Sequence, residues 1–223
     1  MREPAEPPPV SPLPRSYRAQ TAFLILVLAA GIVWSFAELL LHRPVYSGLV
    51  GHGVSWRVYL LFAMRLATRQ VCFLGCTPNP GGPWMAQMAR NLTDAFDGFL
   101  RTPVRYVLMD RDTKFTAEFQ AILTAADVKP VLLPPQSPNC NAHLERFFRS
   151  LKDEALSRII FFGETALRET VNEFVIHYHG ERAHQGMDHQ ILLPGPEANQ
   201  QTGEIVCRER LGGVLKYYHR QAA

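Results

Sequence analysis

The chain has 223 residues, 47% of them apolar and 19% charged, and carries 23 Lys+Arg against 20 Asp+Glu for a net charge of +3. This is the composition of a globular chain holding one domain of ordinary size plus extras, which excludes a wholly disordered polyelectrolyte. A charge excess this small carries no argument about nucleic acid by itself. Four cysteines, Cys72, Cys76, Cys140 and Cys207, lack the paired Cys/His clusters of a zinc site and read as buried, reduced thiols of a cytosolic protein.

Taken in chain order, residues 1–20 form a proline-rich, polar N-terminus that reads as disordered. Residues 21–41 follow as a 21-residue apolar run with Glu38 as its only charge, read as an apolar helix. It is long enough to span a bilayer, with Arg15 and Arg18 on its N-terminal flank. A membrane anchor, a signal-like stretch and a helix packed on the rest of the chain all fit it. The first strand of a sheet is expected near residues 42–50, although the sequence marks it poorly.

Residues 58–63 and 70–74 are short apolar runs joined by a polar turn, the pattern of a hairpin. A Pro/Gly-rich loop at 78–83 leads into residues 84–99, where apolar side chains at 84, 85, 88, 92, 96 and 99 predict a helix. A strand over 105–109 then delivers Asp110. A helix starts at Thr116 with Phe119, Ile122 and Leu123 inward, and a strand over 128–133 stops at Pro134-Pro135. Asn141 is a natural N-cap for a helix reaching about Ser157, and a last long helix spans 164–179. Strands first, then strands and helices in alternation, predict an α/β sheet layered with helices.

Two acids stand out. Asp110 ends an apolar strand, and Glu145 lies in the first turns of an amphipathic helix. Brought together, two such carboxylates can hold divalent metal against a phosphodiester. On that helix Glu145, Arg149 and Lys152 fall at i, i+4 and i+7, a strip suited to one metal ligand and two phosphate contacts. The plainer alternative is a solvated face with an ordinary ion pair. Asp112 reads as a turn residue rather than a ligand.

Three further segments carry a resemblance: Asp110-Arg111-Asp112-Thr113-Lys114-Phe115, the run from Pro138 to Phe147, and Tyr178 to Gly186. With them, residues 58–194 resemble the integrase catalytic core of DDE transposases and retroviral-type integrases, of the variety found in bacterial insertion sequences. The resemblance implies a ribonuclease H-like fold, a mixed sheet flanked by helices, as a core over 45–195 followed by a C-terminal tail over 196–223. It implies phosphodiester hydrolysis and strand transfer on DNA, with Mg²⁺ or Mn²⁺ held by three carboxylates. Asp110 matches the second acid and Glu145 the third. It also implies a homo-oligomer in the cytoplasm, and surface polar roles with DNA contact for His177, His179, Glu181, Arg182 and His184.

The chain departs from the pattern at the first acid. The family places an Asp on its first strand, yet this chain has no Asp before Asp94, and Glu38 is the only acid between Glu6 and Asp94. Whether the chain is an enzyme is therefore open. Three readings follow: a DNA-integrating core, a catalytically inactive remnant with residual nucleic-acid binding, or a membrane-anchored protein with a non-catalytic integrase-like domain.

Overall fold

A computed structural model of the chain describes residues 22–28, 58–100, 104–134 and 142–221. Seven strands and four α-helices are described: β1 (Ala22–Leu28), β2 (Tyr59–Arg65), β3 (Val71–Thr77), α1 (Gly82–Thr93), β4 (Val104–Met109), α2 (Ala117–Ala125), β5 (Lys129–Leu132), α3 (Ala142–Glu154), α4 (Glu164–Gly180), β6 (Ile205–Arg210) and β7 (Leu215–Arg220). β1 to β5 form one sheet in the order β3-β2-β1-β4-β5. The first three strands are antiparallel neighbours, while β1, β4 and β5 run parallel. The sheet is mixed and flanked by helices, as expected.

The first strand corrects two expectations. It lies at Ala22–Leu28, not near residues 42–50, and it occupies part of the run expected to be a helix. The reason is physical. A strand at the centre of a covered sheet needs apolar residues on both faces, so it reads as a continuous apolar run with no period of two. Such a run cannot be told from a buried or spanning helix by periodicity alone. Residues 1–20, 29–41 with Glu38, 42–50 and the Asn141 cap lie outside the described residues. Among the described residues, no helix is long and apolar enough to cross a membrane.

Alternation along β2 sets the two layers. Leu60, Phe62 and Met64 face α3 and α4, where Leu144, Phe147, Phe148, Leu151, Val171 and Phe174 complete one core. Leu61 and Ala63 face the opposite side, closed by Met85, Ala89 and Leu92 of α1 and by Phe119 and Leu123 of α2. Phe62 is the hub of the first core, with its ring centroid 5.2 Å from Phe147 and 5.4 Å from Phe148, both edge-on.

Helix ends follow local chemistry. Thr116 caps α2, its hydroxyl accepting the Phe119 N–H at 3.2 Å. α1 stops at Thr93, short of the expected 99, because the Asp94 side chain accepts the N–H groups of Phe96 and Asp97 at 2.8 and 2.9 Å. These bonds offer the backbone a turn in place of the next helical turn. Residues 205–220, expected as part of a tail, pair as a hairpin, and Leu215 joins the core beneath α4.

Candidate active site

β4 positions Asp110. Val107 and Met109 are buried on the α1/α2 side, while Leu108 packs toward the α3/α4 core. By the period of two, Asp110 belongs to Leu108's side, at the carboxyl end of the strand. The Asp110 carboxylate is half-buried and accepts the Asp112 N–H at 3.0 Å. Burial is the main cause that pushes its carboxyl up from the ordinary value. The Asp112 charge adds to that rise, and the Asp112 N–H and Lys114 oppose it.

Asp112 itself closes the turn. It accepts the Lys114 N–H at 2.9 Å and pairs with Lys114 Nζ at 3.0 Å, so the turn role expected for it holds. Arg111 reaches across to the Leu133 carbonyl at 3.0 Å and ties the loop to the end of β5.

α3 supplies Glu145. Leu144, Phe147, Phe148 and Leu151 anchor the helix on the sheet face to which Asp110 belongs, leaving Glu145 exposed in its first turn. Arg149 is exposed one turn further along, and Lys152 is partly exposed. The layers thus bring the strand end bearing Asp110 and the helix bearing Glu145 to one side of the sheet.

The neighbouring strand bears on the first acid. β1 runs parallel to β4 with Leu26 opposite Met109, the last pair of the ladder, and one further step of that register would set position 27 against Asp110. β1 reads Ala-Phe-Leu-Ile-Leu-Val-Leu and contains no acid. Among the described residues, no group of three or more His, Cys, Asp or Glu side chains is placed to hold a metal ion. Asp110 and Glu145 fit Mg²⁺ in kind, as hard oxygen donors to an ion that keeps much of its water. Among the described residues, they fall one short in number of a three-carboxylate site.

The His-rich segment corrects another expectation. His177 and Glu181 are buried rather than superficial. His177 Nδ1 lies 2.9 Å from Glu181, His179 Nε2 accepts the Val71 N–H at 2.9 Å, and His184 Nε2 donates to the Tyr178 carbonyl at 2.7 Å. These groups tie α4 to β3, to the loop after it and to the C-terminal hairpin. The thiols also differ in part from expectation: Cys76 is buried, but Cys207 is exposed.

Sequence reasoning missed a second cluster. Arg69 in the β2–β3 turn, Arg146 on α3 and Arg182 after α4 line a cavity of about 310 Å³. The spacing of His143, Arg146 and Ser150 on α3 was the available signal, one strip around the helix from Glu145, Arg149 and Lys152.

Residues 126–190, 65 of the 223, match the family described as the integrase core domain. Over those residues the chain is similar to an integrase core. That match spans β5, α3 and α4 and includes Glu145. In fold, 76% of the chain aligns with 92% of the HTLV-2 integrase catalytic core domain, solved in complex with magnesium in a trimeric form, at a TM-score of 0.50 and 9% identity. The catalytic core domain of BIV integrase aligns over 73% of this chain and 87% of its own length, at a TM-score of 0.46 and 16% identity. At such identities the likeness concerns fold, and the fold is ribonuclease H-like. No curated protein matches the chain.

Proposed function

We propose that this integrase-type core serves DNA integration or transposition, binding DNA and using Asp110 and Glu145 as metal-holding carboxylates for phosphodiester cleavage and strand transfer. The observation that carries the reading is Asp110 at the carboxyl end of β4, on the sheet face that α3 covers with Glu145 in its first turn. A divalent ion bound there would supply charge stabilisation to the attacking and leaving oxygens. The chain's own part is to hold two oxygen donors on rigid elements and to lay Arg149 and Lys152 along the strand as phosphate contacts. Joining two DNA ends calls for a homo-oligomer.

One observation favours a second reading, an inactive remnant that still binds nucleic acid: the strand beside Asp110 carries no acid. A strand-transfer assay on the full chain with Mg²⁺ or Mn²⁺ separates the two. Joined product that disappears in Asp110→Asn supports the enzyme. Absence of product at every protein concentration, with oligonucleotide binding retained, supports the remnant.

A further inference from the structure

We infer that the cavity between the β2–β3 turn, α3 and the segment after α4 is a phosphate-binding site, taking the phosphate group of a nucleic-acid strand or free phosphate. Three guanidinium groups, those of Arg69, Arg146 and Arg182, line it together with His143, Ser150 and Tyr178, and among the described residues no acidic side chain lines it. Arg182 is held by Glu154 at 2.6 Å. Among the described residues, Arg69 and Arg146 have no carboxylate partner.

Two unpaired guanidinium groups sharing one concavity repel each other, and an anion between them removes that penalty. The electrostatics agree. Burial, then the Arg146 charge, pull the Arg69 guanidinium down from its ordinary value, with Tyr178 opposing. His143 is pulled down by burial and then by both arginines.

The backbone is shaped for the task. Arg69, in the turn between β2 and β3, sits at φ 60°, a left-handed conformation uncommon for a side-chain-bearing residue, and lines the cavity from there. A β-carbon built at Gly186 would lie 3.9 Å from Arg146 Nη1, so the loop backbone closes in on that guanidinium. Tyr178 is fixed from behind by the Phe147 ring, centroids 5.0 Å apart, which leaves it as a rigid wall. At about 310 Å³ the cavity exceeds a lone phosphate and reaches the lower end of small-ligand pockets, roughly 300 Å³. That size suits a phosphate carried on a sugar.

For a strand as the source, the inference rests on the DNA-binding part of the function proposed above; for free phosphate it does not. The test measures the full chain against a fluorescein-labelled single-stranded oligonucleotide and, separately, against inorganic phosphate by ³¹P line broadening. The double variant Arg69→Gln/Arg146→Gln should weaken strand binding at least tenfold. It should also flatten the slope of log K on log[salt] by about 1.4, two contacts at roughly 0.7 each. Gln185→Glu, an exposed change on the cavity rim, should weaken binding in the same direction without disturbing packing.

Loss of phosphate broadening with strand affinity intact assigns the site to free phosphate. If the parent binds no strand, the DNA reading fails, and the phosphate arm still tests the cavity. Parental affinity for both ligands in the double variant and in Gln185→Glu, each melting with the parent, overturns the site and leaves the DNA reading standing.

Discussion

Glu181 and Arg210, at the end of α4 and the end of β6, meet through three close contacts: Arg210 Nη2 lies 2.7 Å from Glu181 Oε1, and Nε lies 3.0 Å from each carboxylate oxygen. The Glu181 side chain is only 2% exposed, and His177 and Arg208 complete its shell. Burial alone would raise its pKa. The bonds from Arg210, His177 and Arg208 outweigh that and hold it at about 2.

Removing Arg210 leaves a buried carboxylate with weaker partners. Arg210→Met should therefore destabilise the fold by about 3 kcal/mol, the low end for breaking a buried pair because His177 and Arg208 remain. Urea unfolding followed by far-UV circular dichroism measures it. A loss below about 0.5 kcal/mol would show that the C-terminal hairpin does not dock on α4 as described.

Acid dependence follows from the same carboxylate. Its folded pKa, about 2, lies below the ordinary 4.5, so the unfolded chain binds more protons between those values. The stabilisation is present in full above about 4.5 and is lost as pH falls toward about 2. In Glu181→Gln, the slope of stability against pH across that window should shrink by up to about 1.4 kcal/mol per pH unit relative to the parent.

His179 acts in a higher window. Burial first, and then the neighbouring His184, depress it from 6.5 to about 4, and its neutral Nε2 accepts the Val71 N–H. Protonation removes that acceptor. Stability from this contact is complete above about 6.5 and lost as pH falls through about 4. His179→Gln, whose carbonyl can accept the same N–H, should flatten stability between pH 6.5 and 4. An unchanged slope would place the titration elsewhere.

Much of this arrangement is legible in the sequence, for identifiable reasons. β4, α2, α3 and α4 announce themselves through a covered face, a distinct period or a capping residue such as Thr116, while β2 and β3, with β2 buried on both faces, show only as short apolar runs bounded by a polar turn. β1 does not announce itself, since it lies inside a 21-residue apolar run whose length reads as a helix and whose pattern has no period of two. The Asp110 and Glu145 placements follow from a strand end and a helix start. The role of His177 to His184 does not, because Arg208 and Arg210 lie more than twenty residues away in sequence. Arg69 and Arg146 were equally hidden, being 77 positions apart and joined only through the packing of α3 against the β2–β3 hairpin.

Packing and binding should separate cleanly on α3. Phe147 touches Phe62, Phe148, Phe174 and Tyr178 in the core. Phe147→Ala should cost about 3–5 kcal/mol. Arg149→Ala, at an exposed position, should change stability by less than about 0.5 kcal/mol. If its strip lies along DNA, it should flatten the salt dependence of duplex binding by about 0.9. An unaltered slope would return Arg149 to the plainer role of a solvated side chain.

The acid-free strand beside Asp110 offers the sharpest test of the carboxylate site. Because Leu26 pairs with Met109, one further step of that register would set an aspartate at position 27 against Asp110. Val27→Asp should destabilise the metal-free chain, since it places a charge in the centre of a sheet beside another carboxylate. Mn²⁺ should reverse that loss, by about 2.7 kcal/mol at a hundredfold excess over its dissociation constant. The recovery should vanish when Asp110→Asn is added, which distinguishes a shared site from general ionic stabilisation. A Val27→Asp chain that melts at one temperature with and without Mn²⁺ would mean that positions 27 and 110 do not form a metal-binding pair. The two remaining acids would then mark the ancestry of the core and not a site that an added carboxylate can complete.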